Sequence, residues 1–401
     1  MNTRANLVVF SSEFPPHLLG GLGTHIQYMV EALRDSFAIR VVLPARAGYR
    51  PMEGVRLEQV PVAAEPDSVE FWLDYAHRAS LAAAELEVGG SVILQCHDWA
   101  TALAGVAARR LLRRPLVFNV HLPQREPRAV AMENIGLMAA DIVIVNSRAV
   151  REEIEGRKLP VRRIEIVPNG VDLDVFRPGE GWPAHSGYVL FAGRLVPQKG
   201  VDVLIRAFAV LLHRLDAKLV VAGDGPLELY LERLVKYSGI PDKVSFRHWQ
   251  SGANLVELFQ HAAAVAVPSL YEPFGIVALE AMACGRAAVA SNTGGLAEIV
   301  EHGVDGYLVE PGDYLDIARR LVWVLTVPEA ARRMGEAARR KAEQYSWRAA
   351  AGATARLYGE ASYSGEGWVA GAREAMTLLY RTLDDAHRPV LVETLGTGGN
   401  L

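Results

Sequence analysis

Short continuous apolar runs alternate with longer stretches of helical periodicity along most of this 401-residue chain. The runs are LVVF (7–10), IRVVL (39–43), SVILQC (91–96), PLVFNV (115–120) and DIVIVNS (141–147) in the first part. YVLFAGRL (188–195), KLVVAGDGPL (218–227), VSFRHW (244–249), AAAVAVPS (262–269) and AAVAS (287–291) follow in the second. Apolar runs of this length without alternation are expected of parallel strands covered on both faces. Between them, Ile26, Met29, Val30 and Leu33 fall at helical spacing, and VDVLIRAFAVLLHRL (201–215) reads as a second amphipathic helix. Strand-helix alternation implies right-handed crossovers and a doubly wound α/β fold, with ligands beyond the carboxyl ends of the strands. REAMTLLYRTLDDAHRP (373–389) predicts an amphipathic helix, and the terminal GTGGNL is expected to fray.

The length is too great for one ordinary core and suits two domains. The best boundary is the stretch IEIVPNGVDLDVFRPGEGWPAHSG, where Pro178, Gly179, Gly181 and Pro183 stop any helix or strand from running through. Residues 1–177 then form the first domain and 186–345 the second, with 361–401 an extension of unassigned role. Half the residues are hydrophobic, the net charge is −4, and the arginines are scattered, which argues against a nucleic-acid partner. Cys96 and Cys284 lie far apart in apolar contexts and read as buried thiols of a reducing compartment. MNTRANLVVFSSEFPP reads as a first strand, neither signal peptide nor membrane span. The expectation is a cytoplasmic protein for which peripheral membrane contact stays open.

The densest candidate chemistry is PSLYEPFGIVALE (268–280). A strand ends in a turn, and a helix is expected to begin at Pro273, whose missing N–H suits a first helical position. The amides of Phe274, Gly275 and Ile276 would then point outward, flanked by the carboxylates of Glu272 and Glu280. The loop GRLVPQKG (193–200) brings Gly193, Arg194 and Lys199 between a strand end and a helix start. Strand-turn-helix transitions recur at Gly223 in GDGP and at Thr293, Gly294 and Gly295 in TGGL. In the first domain Gly20, Gly21 and Gly23 mark a loop-to-helix junction where a backbone can approach a ligand closely. His97, Asp98 and Trp99 follow one strand and His121 the next. Neither histidine has metal-ligand spacing with a third partner, so no metal is expected. Glu133 fits either a site glutamate or a solvated helix face.

These motifs, in the order GGLG, HLP, VPNGVD, GRLVPQKG, PSLYEPFGIVALE and TGGL, resemble the retaining glycosyltransferases of family 4 and the related bacterial glycogen synthases. The resemblance spans about 340 residues. It implies the GT-B fold: two Rossmann-like doubly wound domains facing across a cleft, with a crossover helix (346–360) returning to the first. It implies transfer of a hexose, with retention and an α linkage, from a nucleoside-diphosphate sugar to a carbohydrate, lipid or small-molecule hydroxyl. Arg194 and Lys199 would hold the diphosphate, Glu280 the ribose, and Glu272 with the Phe274 and Gly275 amides the donor sugar. His121 would lie beside the reacting centre, His97, Asp98 and Trp99 on the acceptor side, and Gly223 near the base. UDP-glucose is the expected co-substrate, because Leu18 stands where ADP-glucose enzymes carry a lysine. No permanent cofactor and no metal are implied. A glucan synthase, a nucleotide-sugar epimerase and a non-catalytic nucleotide-sugar-binding protein remain alternatives.

Overall fold

The computed structural model describes residues 4–18, 20–66, 68–85, 90–179, 187–365, 372–383, 385 and 387–396. Gly181, Pro183 and Thr397–Leu401, to which the linker and fraying expectations apply, lie outside them. The chain divides into two compact units, Met1–Val167 with Ala350–Leu401, and Pro168–Ala349.

The first unit holds a seven-stranded sheet: β1 (Ala5–Phe10), β2 (Phe37–Pro44), β3 (Val55–Val60), β4 (Val92–His97), β5 (Leu116–Val120), β6 (Ile142–Val145) and β7 (Ile164–Ile166). Its order is β3-β2-β1-β4-β5-β6-β7, and every pairing is parallel. The second unit repeats the scheme with β8 (Tyr188–Ala192), β9 (Leu219–Ala222), β10 (Val244–Arg247), β11 (Ala262–Val267), β12 (Ala288–Ser291) and β13 (Gly306–Val309). Its order is β10-β9-β8-β11-β12-β13, again all parallel. Both are Rossmann-like doubly wound sheets. Each has one switch point where strand order reverses, β1/β4 in the first and β8/β11 in the second, which is where such sheets bind ligands.

Both faces of each sheet are covered, which explains the unbroken apolar runs. In β8, Val189 and Phe191 enter one core while Leu190 enters the other; in β11, Ala264 and Ala266 oppose Val265 and Val267. Three strands lie outside these runs, one of them β13, a four-residue edge strand of the second sheet. VRLEQV (β3) is an edge strand with only Val60 fully buried, and IEI (β7) is a half-buried edge strand of three residues. The central strand β4, by contrast, is buried throughout.

The extension completes the first core rather than trailing from it. From Ala350 onward the helix Trp347–Glu360 belongs to the first unit, where the buried Tyr358 hydroxyl donates to Gln95 Oε1. The expected single helix over 373–389 is two, Arg373–Thr382 and His387–Leu395. Met376, Leu379, Leu391 and Leu395 join the same hydrophobic core as β4 and β5. No helix among the described residues is long and apolar enough to cross a membrane.

Candidate functional site

In the second unit, the loops after β8 and β11 meet at the switch point. The main chain stitches them together: Leu270 N–H donates to Gln198 O at 2.8 Å. This places Lys199 Nζ 2.6 Å from Glu272 Oε2, and Ser269 Oγ donates to the same oxygen at 2.9 Å. Lys199 and Glu272 side chains are 22% and 11% exposed, so the pair is partly desolvated yet open to a ligand. One carboxylate oxygen, Glu272 Oε2, thus carries both charge-assisted bonds. Arg194 is half-buried in the same loop and makes no ion pair among the described residues.

The helix expected at Pro273 begins later, at Ile276, with Gly275 as its cap. Gly275 adopts φ +111°, a left-handed conformation that L side chains avoid, and this breaks the helix before it can include Pro273 and Phe274. The outward amides of the first turn are therefore those that follow Gly275. Phe274 instead turns inward, 5% exposed, into the core formed with Leu279, Leu296 and Ile299. TGGL packs directly onto this turn: Gly295 N–H donates to Glu272 O at 3.0 Å, and a Cβ on Gly294 would lie 2.0 Å from that carbonyl oxygen. Gly294 is thus fixed by backbone contact with the EPFG turn, while Thr293 stays half-exposed beside it.

Glu280 lies one turn into the helix, 8% exposed, and burial pushes its carboxyl up to about 8. Burial therefore favours its protonated form in the unliganded protein, which the sequence did not suggest. On the next strand over, Gly223 N–H donates to Arg247 O, and the Asp224 carboxylate accepts from Trp249 N–H at 3.2 Å and faces His248 Nδ1 at 3.1 Å.

In the first unit, the switch point gathers histidines. His97 ends β4 and His121 follows β5; His97 Nδ1 lies 3.0 Å from His121 Nε2, with the rings nearly parallel. A third ring, His25, reaches them from the helix Gly21–Leu33, its centroid 4.4 Å from that of His121. The expectation of no third partner is corrected here. His25 sits one place before Ile26 on the apolar stripe, so helical periodicity hides it among core residues. Burial drives the His97 and His121 imidazoles well below their ordinary value, so both are neutral.

The main chain around His121 is clamped. Asp98 Oδ1 accepts from His121 N–H at 2.6 Å and from Leu122 N–H at 3.3 Å. Asn146 Nδ2 donates to His121 O at 3.2 Å, and Glu133 Oε2 accepts from Gln124 N–H at 3.2 Å. Asp98 is buried, its carboxyl raised to about 8 chiefly by desolvation, and it holds φ +53° at the start of its helix. It is a backbone clamp rather than a free acid on a surface. Trp99, half-buried, packs edge-on against Trp72. Glu133 is fully buried and paired with Arg157 at 2.6 Å, which excludes the solvated helix face. Gly20 caps the helix that begins at Gly21, and Gly23 packs so tightly that a Cβ there would lie 2.5 Å from Glu13 Oε2. Asn146 and Ser269 were missed because a lone polar residue at a strand end carries no periodic signal.

Comparison with known proteins bears on the family and the fold. Residues 19–175 match the family described as glycosyltransferase family 4, and residues 174–341 match glycosyl transferases group 1. An uncharacterised glycosyltransferase of Methanocaldococcus jannaschii is 34% identical over 75% of this chain and 83% of its own length. A D-inositol 3-phosphate glycosyltransferase of Saccharomonospora viridis is 35% identical over 69% of this chain and 71% of its own. Among solved structures, sucrose-phosphate synthase from Thermosynechococcus elongatus superposes with a TM-score of 0.81 at 23% identity, covering 89% of this chain and 99% of that one. The Anabaena protein HepE, solved with UDP and glucose, gives 0.76 at 21% identity over 89% of this chain and 100% of that one. With both sheets doubly wound and both family regions matched in order, the chain belongs to the family 4 glycosyltransferases and carries their GT-B fold.

Proposed function

We propose that the protein is a retaining hexosyltransferase that moves a hexose from a UDP-sugar, UDP-glucose first among them, to a hydroxyl acceptor with an α linkage. The observation that carries this reading is the Lys199–Glu272–Ser269 array at the β8/β11 switch point, with Arg194 in the same loop as Lys199. A departing nucleoside diphosphate gathers charge as the bond from its oxygen to the sugar C1 breaks. Fixed cations in a partly dry site stabilise that charge without reorganising. Arg194 forks two phosphate oxygens and Lys199 acts as a point charge, so the transfer needs no divalent metal. Glu272 holds sugar hydroxyls through its unshared oxygen, and Glu280 holds the ribose. The acceptor oxygen attacks C1 from the face the phosphate leaves, and its proton passes to the departing phosphate oxygen. No enzyme carboxylate then acts as nucleophile. HepE, a fold neighbour solved with UDP-glucose, supports the choice of donor.

The test is a thermal-shift panel of UDP, GDP, ADP and their glucose conjugates, with and without magnesium. A selective shift with UDP species, unchanged by chelator, is expected. A shift with GDP or ADP species alone would overturn the donor, and an inverted anomeric configuration in the product would overturn retention. Because named relatives are D-inositol 3-phosphate glycosyltransferases, that compound heads the acceptor screen.

Two further outcomes follow from the site. If ribose hydroxyls donate to Glu280, nucleotide binding releases the proton that Glu280 holds up to about pH 8. Affinity for UDP then rises as pH rises towards 8, by up to about tenfold per unit, and Glu280→Gln flattens the profile. A profile equally steep in Glu280→Gln would reassign the ribose contact. Ser269→Ala removes one bond from Glu272 and should raise KM for the donor about threefold to tenfold, as loss of about 1 kcal/mol implies. Ser269→Thr, which keeps the hydroxyl, should recover part of this.

A further inference from the structure

We propose that His97 is a positioning residue for His121: it accepts a hydrogen bond from His121 Nε2–H and so fixes the tautomer in which His121 Nδ1 is a bare acceptor. The two rings stand 18° from parallel, with His97 Nδ1 3.0 Å from His121 Nε2. This is a ring-to-ring hydrogen bond, so one nitrogen of the pair gives a proton and the other receives it. Both imidazoles are buried, at 1% and 8% exposure, and burial holds both neutral, with one ring proton each. Two arrangements satisfy the bond: both rings carry Nε2–H, or both carry Nδ1–H. The first is the form that a neutral histidine side chain prefers in water. The second needs the less favoured form twice, because the proton one nitrogen carries is set by the bond the other makes. It also places the His121 proton on Nδ1, which is buried and has no hydrogen-bond partner among the described residues. An orphaned N–H in a protein interior is rarer than an orphaned lone pair. Both arguments select the Nε2–H pair.

The surroundings hold the two rings in this relation. His97 N–H donates to Thr101 Oγ1, and the Thr101 hydroxyl donates back to His97 O, each at 2.7 Å. Asp98 and Asn146 fix the main chain of His121 from both sides. Two residues earlier on each strand, on the same face of the sheet, Gln95 Nε2 donates to Asn119 Oδ1 at 3.0 Å. The Tyr358 hydroxyl donates to Gln95 Oε1, which sets the orientation of that amide. His25 closes the cluster edge-on, its ring centroid 5.5 Å from that of His97 and 4.4 Å from that of His121.

A second, independent observation points to the same ligand chemistry. Asn146 turns its Nδ2 to a carbonyl, so Oδ1 is the other end of the amide, and it too is buried with no hydrogen-bond partner among the described residues. A carbonyl oxygen of this kind can only accept. Around His121 there are thus two buried acceptors, and what they lack is a donor. A hydroxyl supplies one; a carboxylate or phosphate would set lone pairs against lone pairs. The group taken at His121 Nδ1 is therefore a neutral hydroxyl, from either the donor sugar or the acceptor. This substrate half rests on the transfer reaction proposed above, whereas the tautomer half does not.

The experiment labels the full chain with nitrogen-15 histidine and reads the tautomer of each ring from long-range proton–nitrogen spectra. In the unliganded wild type, His97 and His121 should both give the Nε2–H pattern. His97→Asn, whose Oδ1 replaces Nδ1 as acceptor, should keep that pattern at His121. His97→Phe, which has no acceptor, should turn it into a mixture of both forms. Circular dichroism checks the fold of each variant, and the wild-type spectrum decides the tautomer by itself. With UDP-glucose and the best acceptor from the screen, kcat/KM should fall about tenfold in His97→Phe, as loss of one hydrogen bond implies, and recover to within about threefold in His97→Asn. UDP, UDP-glucose and D-inositol 3-phosphate are then added in turn. An upfield move of the His121 Nδ1 signal with UDP-glucose but not UDP assigns the hydroxyl to the donor sugar, and the same move with D-inositol 3-phosphate assigns it to the acceptor. An Nδ1–H pattern at His121 in the wild type, an unaltered Nε2–H pattern in His97→Phe, or an Nδ1 signal unmoved while both sugar ligands are bound would each overturn the inference. Failure of every UDP species to bind would sink the donor reading alone, since the tautomers are read without ligand.

Discussion

Replacing Lys199 by alanine is expected to lower turnover by at least about a hundredfold, the roughly 3 kcal/mol typical of losing one preorganised group at a developing charge. The ammonium has two tasks in this geometry. In the unliganded protein it neutralises Glu272, 2.6 Å away. In the proposed reaction it faces the oxygens from which the sugar departs. Its removal leaves Glu272 held by the Ser269 hydroxyl, an excess negative charge where the diphosphate is proposed to sit. The loss should therefore appear in kcat and again in donor KM. Lys199→Arg keeps charge but not the point geometry and should fall between wild type and alanine. Glu272→Gln tests the coupling: in that background Lys199→Ala should raise KM less, because no orphaned carboxylate repels the donor. Arg194→Ala should cost turnover on a similar scale without this rescue, since Arg194 makes no ion pair among the described residues. Steady-state kinetics with the best donor from the thermal panel give both parameters. Activity within threefold of wild type in Lys199→Ala would remove the diphosphate assignment.

What the sequence made legible follows from burial. β4, β5, β8 and β11 announce themselves because both faces of a parallel sheet are covered, so nothing polar interrupts them. Edge strands β3 and β7 have one wet side and carry no such run. The loops at the switch points were legible for a related reason: glycines, prolines and charged residues interrupt the apolar runs where the buried strands end. The state of the groups within them was not legible. That burial favours a protonated Glu280, that Lys199 and Ser269 share one oxygen of Glu272, and that EPFG is a turn broken by Gly275 depend on packing against loops far away in sequence. His25 shows the limit most clearly. Its spacing is that of a core residue, and only the fold brings it against His97 and His121. The extension was opaque because short amphipathic helices carry no motif, and what they bury is known only once their partner is placed.

Arg109→Ala is expected to destabilise the first unit by about 3–5 kcal/mol, the cost of leaving a buried charge without its partner. The Arg109 and Asp141 side chains are 1% and 4% exposed and meet in a two-pronged pair, with Nε–Oδ2 at 3.2 Å and Nη2–Oδ1 at 2.9 Å. Asp141 also accepts from Leu116 N–H at 3.0 Å and from the Ser364 hydroxyl. Arg109 in turn donates to Gly365 O at 2.7 Å and lies over the Tyr363 ring at 4.5 Å. One buried pair therefore fastens the entry of β6 and the start of the C-terminal extension to the same helix. Alanine at 109 strips four partners at once, Asp141, Gly365, Tyr363 and the Ser364 hydroxyl, and strands the Asp141 carboxylate in the core. In a unit of this size the loss should lower the corresponding thermal transition by about 10 °C. Arg109→Met with Asp141→Asn removes both charges, keeps an acceptor for Leu116 N–H and should recover much of the stability, as isosteric replacement of buried pairs often does. Denaturant unfolding compares the three proteins, and limited proteolysis reads the extension directly: residues beyond Glu360 should be cut faster in Arg109→Ala than in the double variant. A loss below about 1 kcal/mol, the scale of an exposed pair, would mean that water reaches Asp141 and that the extension is held by its apolar contacts instead.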